Sequence, residues 1–152
     1  MWFPSPYPDE LFYSVLCRYY LSSGIKEHYL VKKQLFGTKA GVKMATLYPN
    51  AAVHAVLSQL PEGVFDGRDM ILHHTPFLYY ARMHPQQERE VLLDDLLQGR
   101  SKTPTHLWRT FPKGDYALRY CPLCIQEDTK IYGEAYYHVE HQIPLSSVCV
   151  RH

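Results

Sequence analysis

Two short spacings, Cys121-Pro-Leu-Cys124 and, 24 residues later, Cys149-Val-Arg-His152, constrain this chain more than any other feature. A C-x2-C turn aims two thiolates at one centre about 2.3 Å from a metal, and a second x2 turn carrying Cys and His completes a tetrahedron. Four protein ligands leave no open position. The expected ion is therefore one structural Zn2+ held by Cys121, Cys124, Cys149 and His152, because a catalytic zinc keeps three protein ligands and a water. His138 and His141, spaced i, i+3 ahead of the second pair, are the alternative fourth ligands, and His152 ranks above them because it closes the tighter turn. Unrelated pairs or disulfides are the competing reading of the cysteines. Since His152 is both a ligand and the last residue, the 152 residues read as a fragment of a longer protein.

Ahead of the cysteines the pattern is helical. Pro8-Asp9-Glu10 supplies proline and acid for a first turn, and Leu11, Phe12, Val15, Leu16, Tyr19 and Tyr20 recur at helical spacing until Gly24. Glu27 to Phe36 reads as a second helix, with Tyr29, Leu30, Leu35 and Phe36 as core and Lys32-Lys33 outward. After a loop from Gly37 to Tyr48, Pro49 opens a third helix whose inner face carries Ala52, Val53, Val56, Leu57 and Leu60. Asp66 is placed to cap Gly67 to His73, Thr75-Pro76 restarts a turn through Tyr79, Tyr80 and Met83, and Pro85 opens a helix with Val91, Leu92, Leu93, Leu96 and Leu97. The expected architecture is mainly α: a helical lobe over 1–99, an irregular linker over 100–115, and a small zinc-ribbon-like module over 116–152 entered by a short strand from Tyr116 to Tyr120. A module of that size cannot be stable by burial alone, so the metal should decide whether it folds.

Composition narrows the function classes. With 46% hydrophobic and 20% charged residues the chain can bury a true core, and no stretch approaches the ~20 apolar residues of a membrane span. The Met-Trp-Phe-Pro start lacks the basic and apolar regions of a signal peptide, and three cysteines for one zinc site with Cys17 left over suit a reducing cytosol better than a disulfide scaffold. Cys17 sits in an apolar helical pattern and reads as core. A net charge of +1 argues against a general polyanion binder, yet the charge is segregated. Between positions 18 and 43, Arg18, Lys26, Lys32, Lys33, Lys39 and Lys43 are opposed only by Glu27, and across 99–120 Arg100, Lys102, Arg109, Lys113 and Arg119 are opposed only by Asp115. Such clusters steer DNA or a protein partner, or are solvated helix faces. The sequence has no H-E-x-x-H, no Gly-rich phosphate loop and no G-x-S-x-G elbow, and the adjacent His73-His74 suit capping or packing, so no enzymatic activity is expected.

The ordered motifs extend this reading. Phe3-Pro4, Pro6-Tyr7-Pro8-Asp9-Glu10-Leu11, Tyr13-Ser14 and Arg18 resemble the opening of the TniQ/TnsD family of transposon target-selection proteins. Leu35-Phe36-Gly37, His74-Thr75-Pro76 with Tyr79-Tyr80, Leu118-Arg119-Tyr120-Cys121-Pro122-Leu123-Cys124, Gly133-Glu134-Ala135-Tyr136-Tyr137 and His141-Gln142-Ile143-Pro144 follow in the family's order. The resemblance implies a helix-turn-helix-like lobe, a zinc module, and a recruiter rather than a catalyst. It implies a bacterial cytoplasmic protein associated with DNA, linking target DNA or an RNA-guided CRISPR effector complex to the AAA+ ATPase TnsC that brings in the transposase. A stand-alone zinc-ribbon DNA-binding protein is the alternative and a metallohydrolase a distant third. Larger members carry further zinc modules and DNA-reading helices beyond the region matched here.

Overall fold

Asp9 takes a left-handed backbone conformation, φ 58°, and this delays the first helix, α1, to Phe12–Ser23. The expected acidic first turn is therefore absent: Pro8 and Asp9 form a turn, and Asp9 and Glu10 face residues far along the chain. Gly24, φ 66°, ends α1 in the left-handed C-cap that glycine adopts without strain. The computed structural model describes residues 2–37, 51–63, 65–99, 117–144 and 147–152. Lys39, Lys43, the linker 100–115 with its basic cluster, Pro49 and Tyr116 lie outside these residues.

Five further helices complete the lobe among the described residues: α2 (His28–Phe36), α3 (Ala51–Leu57), α4 (Gly67–His73), α5 (Phe77–Ala81) and α6 (Gln86–Leu97). Helix α3 packs against α2, α4 and α6, and so forms the centre of the lobe. Its short side chains Ala52, Val53, Ala55 and Val56 allow that approach, while Val15, Leu16, Val31, Leu35, Phe36, Ile71, Phe77 and Leu92 fill the space around it. Each fully buried Val, Leu or Phe contributes roughly 1.5–3 kcal/mol of transfer free energy. Asp66 caps α4 by accepting the Arg68 amide at 2.8 Å, as its sequence position anticipates. His54 on α3 donates from Nδ1 to the Leu97 carbonyl at 2.9 Å, tying α3 to the end of α6. His73 is exposed, and His74 is buried with Nδ1 2.7 Å from the Glu10 carbonyl, which is a packing role.

Two core assignments on α2 are corrected. Tyr29, 64% exposed, and Leu30 point outward, because successive helix positions turn by roughly 100° and the core stripe is set by Val31 and Leu35. On α6, Val91 is exposed, one position from the buried pair Leu92 and Leu93. Cys17 is half-buried, and burial pushes its thiol pKa up, which keeps it protonated.

The C-terminal part is built on a helix rather than a ribbon. Helix α7 (Pro122–Tyr132) starts inside the first cysteine pair, with Cys121 at its N-cap and Pro122 at its first position, and a 3-10 turn covers Glu140–Gln142. Residues 117–120 are irregular, so the anticipated entry strand does not form there, and no strand occurs among the described residues. One isolated antiparallel bridge, Glu10 to His138, joins the two ends of the chain.

Candidate metal centre

Cys121, the N-cap of α7, and Cys124, in its first turn, are brought to one side of the helix by that turn. The second pair comes from the segment 147–152, in which the Arg151 amide donates to Cys149 Sγ at 3.4 Å and fixes the turn. Together Cys121, Cys124, Cys149 and His152 place one ligand atom each within 4.8 Å of one another. The closest edges are tighter. His152 Nδ1 lies 3.6 Å from Cys121 Sγ, 3.5 Å from Cys124 Sγ and 3.6 Å from Cys149 Sγ, and Cys124 Sγ lies 3.6 Å from Cys149 Sγ. A tetrahedron with zinc–sulfur bonds of about 2.3 Å and zinc–nitrogen bonds of about 2.0–2.1 Å has edges of about 3.5–3.8 Å, so these four side chains fit a zinc ion.

The electrostatics point the same way. Cys124 and Cys149, with sulfurs 3.6 Å apart, oppose each other's ionisation. The Arg151 amide, ahead of His141, His152 and Cys124, pulls Cys149 down to about 5, whereas burial, then the neighbouring Cys149 and Cys121, push Cys124 up to about 12. A divalent cation removes that conflict by stabilising every thiolate at once. Glu127 on α7 accepts from His152 Nε2 at 3.1 Å, which turns Nδ1 toward the sulfurs and raises the imidazole to about 9. Glu127 was not legible as part of the site, although its place one turn after Cys124 on α7 puts it on the same helix face.

Of the two alternative histidines, His138 is engaged elsewhere. It is 1% exposed, stacks on Tyr136 with ring centroids 4.4 Å apart, and donates from Nε2 to Asp128 Oδ2 at 2.9 Å. His141 stays beside the cluster, with Nε2 3.7 Å from Cys124 Sγ and 3.5 Å from Cys149 Sγ.

The metal-proximal residues are latched to the N-terminus. The Leu11 amide donates to the Tyr137 carbonyl at 2.7 Å, the Val139 amide to the Asp9 carbonyl at 2.8 Å, and the Glu140 amide to Asp9 Oδ2 at 3.2 Å. Helix α1 serves both sides of this junction: Phe12, Val15, Leu16 and Tyr19 face the lobe core, while Ser14 and Arg18, four residues apart, face residues 134–137. Ser14 Oγ accepts the Tyr137 amide at 3.1 Å. Arg18 donates to Glu10 Oε2 at 2.9 Å and to Glu134 Oε1 at 2.8 Å, and its guanidinium lies 3.7 Å from the Tyr7 ring centroid. Its charge, grouped by sequence with the lysines as a partner contact, is satisfied inside the fold. Lys26 and Lys33 are exposed and Lys32 is half-buried.

Comparison with known proteins places these features in a wider context. The TniQ family model matches residues 1–152. The chain is 27% identical to the transposon Tn7 transposition protein TnsD of Escherichia coli over 155 aligned residues, covering 99% of this chain and 30% of that protein. The chain thus spans about a third of the length of that relative.

Proposed function

The chain belongs to the TniQ family, and from that premise we propose that it is a target-site selection adaptor in DNA transposition. In this reading it links target DNA, or an RNA-guided CRISPR effector complex, to the AAA+ ATPase TnsC, and it performs no bond-making chemistry itself. The observation that carries the reading is the combination of a family match along the whole chain with a donor set, Cys121, Cys124, Cys149 and His152, that fits a closed structural metal site.

One zinc bound there would supply a rigid cross-link between the two cysteine pairs and no reactive position. Everything else falls to the chain's own residues. Helix α7 and the 147–152 segment present the ligands, and Asp9, Ser14 and Arg18 dock that unit on α1. The exposed side of α2 and its approach, with Lys26, Lys32 and Lys33, is the described surface we assign to DNA phosphates or an acidic face of the ATPase. Lys39 and Lys43 extend the same assignment by sequence alone. Tyr29 and Leu30 beside these lysines give the surface an apolar component that suits a protein partner. Among the described residues no helix is long and apolar enough to cross a membrane.

Co-purification of the ATPase and retention of DNA by the Lys32→Glu, Lys33→Glu double variant test the assignment. Both should fall, and the DNA effect should soften as salt rises, with each lost phosphate contact lowering the salt slope by about one unit. A folded double variant that binds ATPase and DNA like the parent would remove these lysines from the interface.

A further inference from the structure

Five donors converge where four-coordinate zinc needs four. His141, 9% exposed on the 3-10 turn Glu140–Gln142, holds Nε2 at 3.7 Å from Cys124 Sγ and 3.5 Å from Cys149 Sγ. These match the tetrahedral sulfur–nitrogen edge of about 3.6 Å expected from zinc–ligand bond lengths. The ring already stands at ligand spacing from two of the three sulfurs. Its Nδ1 is buried without a hydrogen-bond partner, so no bond on the far side of the ring opposes a small reorientation. An open hollow of about 350 Å³, lined in part by Cys121, His141 and Cys149, provides space for that movement.

The two imidazoles are tethered differently. His152 is held on the exposed 147–152 segment, where Val148 and Val150 face solvent, and its outer nitrogen bonds to the exposed Glu127. The turn that carries His141 is anchored by Gln142, whose side-chain amide donates to the carbonyls of Arg119 at 2.8 Å and His138 at 3.0 Å. We propose that His141 is a reserve ligand of this centre, taking the fourth position through Nε2 when His152 leaves it. The proposal rests on the reading of Cys121, Cys124 and Cys149 as metal ligands. Exchange of one neutral imidazole for another leaves ligand number and charge unchanged, so the 150–152 arm can be displaced by a partner without loss of the ion.

The test uses the full chain loaded with cobalt(II), whose absorption reports tetrahedral geometry and thiolate ligation, together with zinc affinity from chelator competition. Parent protein that binds no tetrahedral cobalt would defeat the metal reading itself. Given that binding, His152→Ala should keep one tetrahedral ion with three thiolates and one nitrogen, its zinc affinity weakened by about tenfold. His141→Ala should stay close to the parent. The double variant should lose at least about a hundredfold more than His152→Ala, beyond the effect of an outer-sphere partner alone, together with its tetrahedral bands. Equal affinity and equal spectra of His152→Ala and the double variant would overturn the proposal. His152→Asn, which keeps a polar side chain on the arm, covers the case in which His152→Ala does not fold. Failure of both to fold with metal, while His141→Ala folds, would also overturn it, since His141 would then be unable to hold the position.

Discussion

Replacing Arg18 by Met separates an internal role for this cation from a role in partner contact. Arg18 is the cation nearest Glu10, a carboxylate with 0% side-chain exposure, and is itself only 12% exposed. Removing one partner of a buried ion pair costs about 3–5 kcal/mol, because the remaining charge is left in a low-dielectric site. The other contacts add less: the Tyr7 cation–π contact is worth about 0.5–1 kcal/mol, and the pair with the half-exposed Glu134 about 0–1 kcal/mol. The buried carboxylate therefore dominates, and a loss of about 3–5 kcal/mol lowers the melting temperature by about 6–20 °C in a chain of this size.

Protonation of Glu10 limits that loss in a testable way. Burial already raises the Glu10 pKa despite the Tyr7 amide and Arg18, which lower it. Without Arg18 the folded-state pKa rises further above its unfolded value, so the variant is stabilised by proton uptake at low pH and loses that stabilisation as pH rises. Urea denaturation of the metal-loaded protein should show the deficit of Arg18→Met shrinking between pH 7 and pH 5, and Glu10→Gln should recover part of it at pH 7. A loss below about 1 kcal/mol at pH 7 with no pH dependence would refute the internal role. Arg18 would then return to the basic surface with Lys26, Lys32 and Lys33.

Three further outcomes follow from the same geometry. Cys124→Ser should reduce bound zinc from about one ion per chain toward none, measured by metal analysis, and should speed hydrogen exchange at the Leu11 and Val139 amides that bond across the junction. Glu134→Gln should cost less than about 1 kcal/mol, because the carboxylate is half-exposed; burial works against its ionisation but Arg18 and Tyr7 lower its pKa overall, so its contribution is present above the unfolded value and is lost as pH falls through the folded one, leaving a variant with a flatter acid limb. Gly99→Ala should destabilise by about 1–3 kcal/mol, since Gly99 has φ 62° and an added Cβ would lie 2.5 Å from His54 Cδ2; an unchanged denaturation midpoint would contradict that packing.

Features set by short spacing were legible in the sequence. The Cys121–Cys124 and Cys149–His152 turns, the Asp66 cap and the Gly24 stop each depend on residues within a few positions, and each appears where the sequence places it. Features set by distant partners were not. Asp9 and Glu10 looked like the acid of a helix start, but their partners are Val139, Glu140 and Arg18, and the bridge to His138 spans most of the chain. Tyr29 and Leu30 illustrate a different limit: a nine-residue helix with four apolar candidates does not reveal which stripe its neighbours will cover. Glu127 was hidden because an outer-sphere carboxylate has no spacing signature of its own.

The sequence blocks that carry the family resemblance meet in space. Pro8 to Leu11, Ser14 and Arg18 contact Glu134 to Val139, so these blocks act first as the two halves of one junction. That junction contains one bridge and a few hydrogen bonds on the lobe side, which is too little to order residues 134–152 by itself. On the metal side, zinc binding in small modules supplies about 10–16 kcal/mol, an order of magnitude beyond any single hydrogen bond. Arg151 joins the two: it lies two residues after Cys149, pairs with Glu140 at 3.2 Å and approaches His138 Nδ1 at 3.2 Å, while the Glu140 amide in turn donates to Asp9 Oδ2. Ordering of the second ligand pair therefore also orders the surface that Asp9 and Glu10 require. Asp9, Glu140 and Arg151 thus form a continuous chain of contacts from the turn ahead of α1 to the second ligand pair.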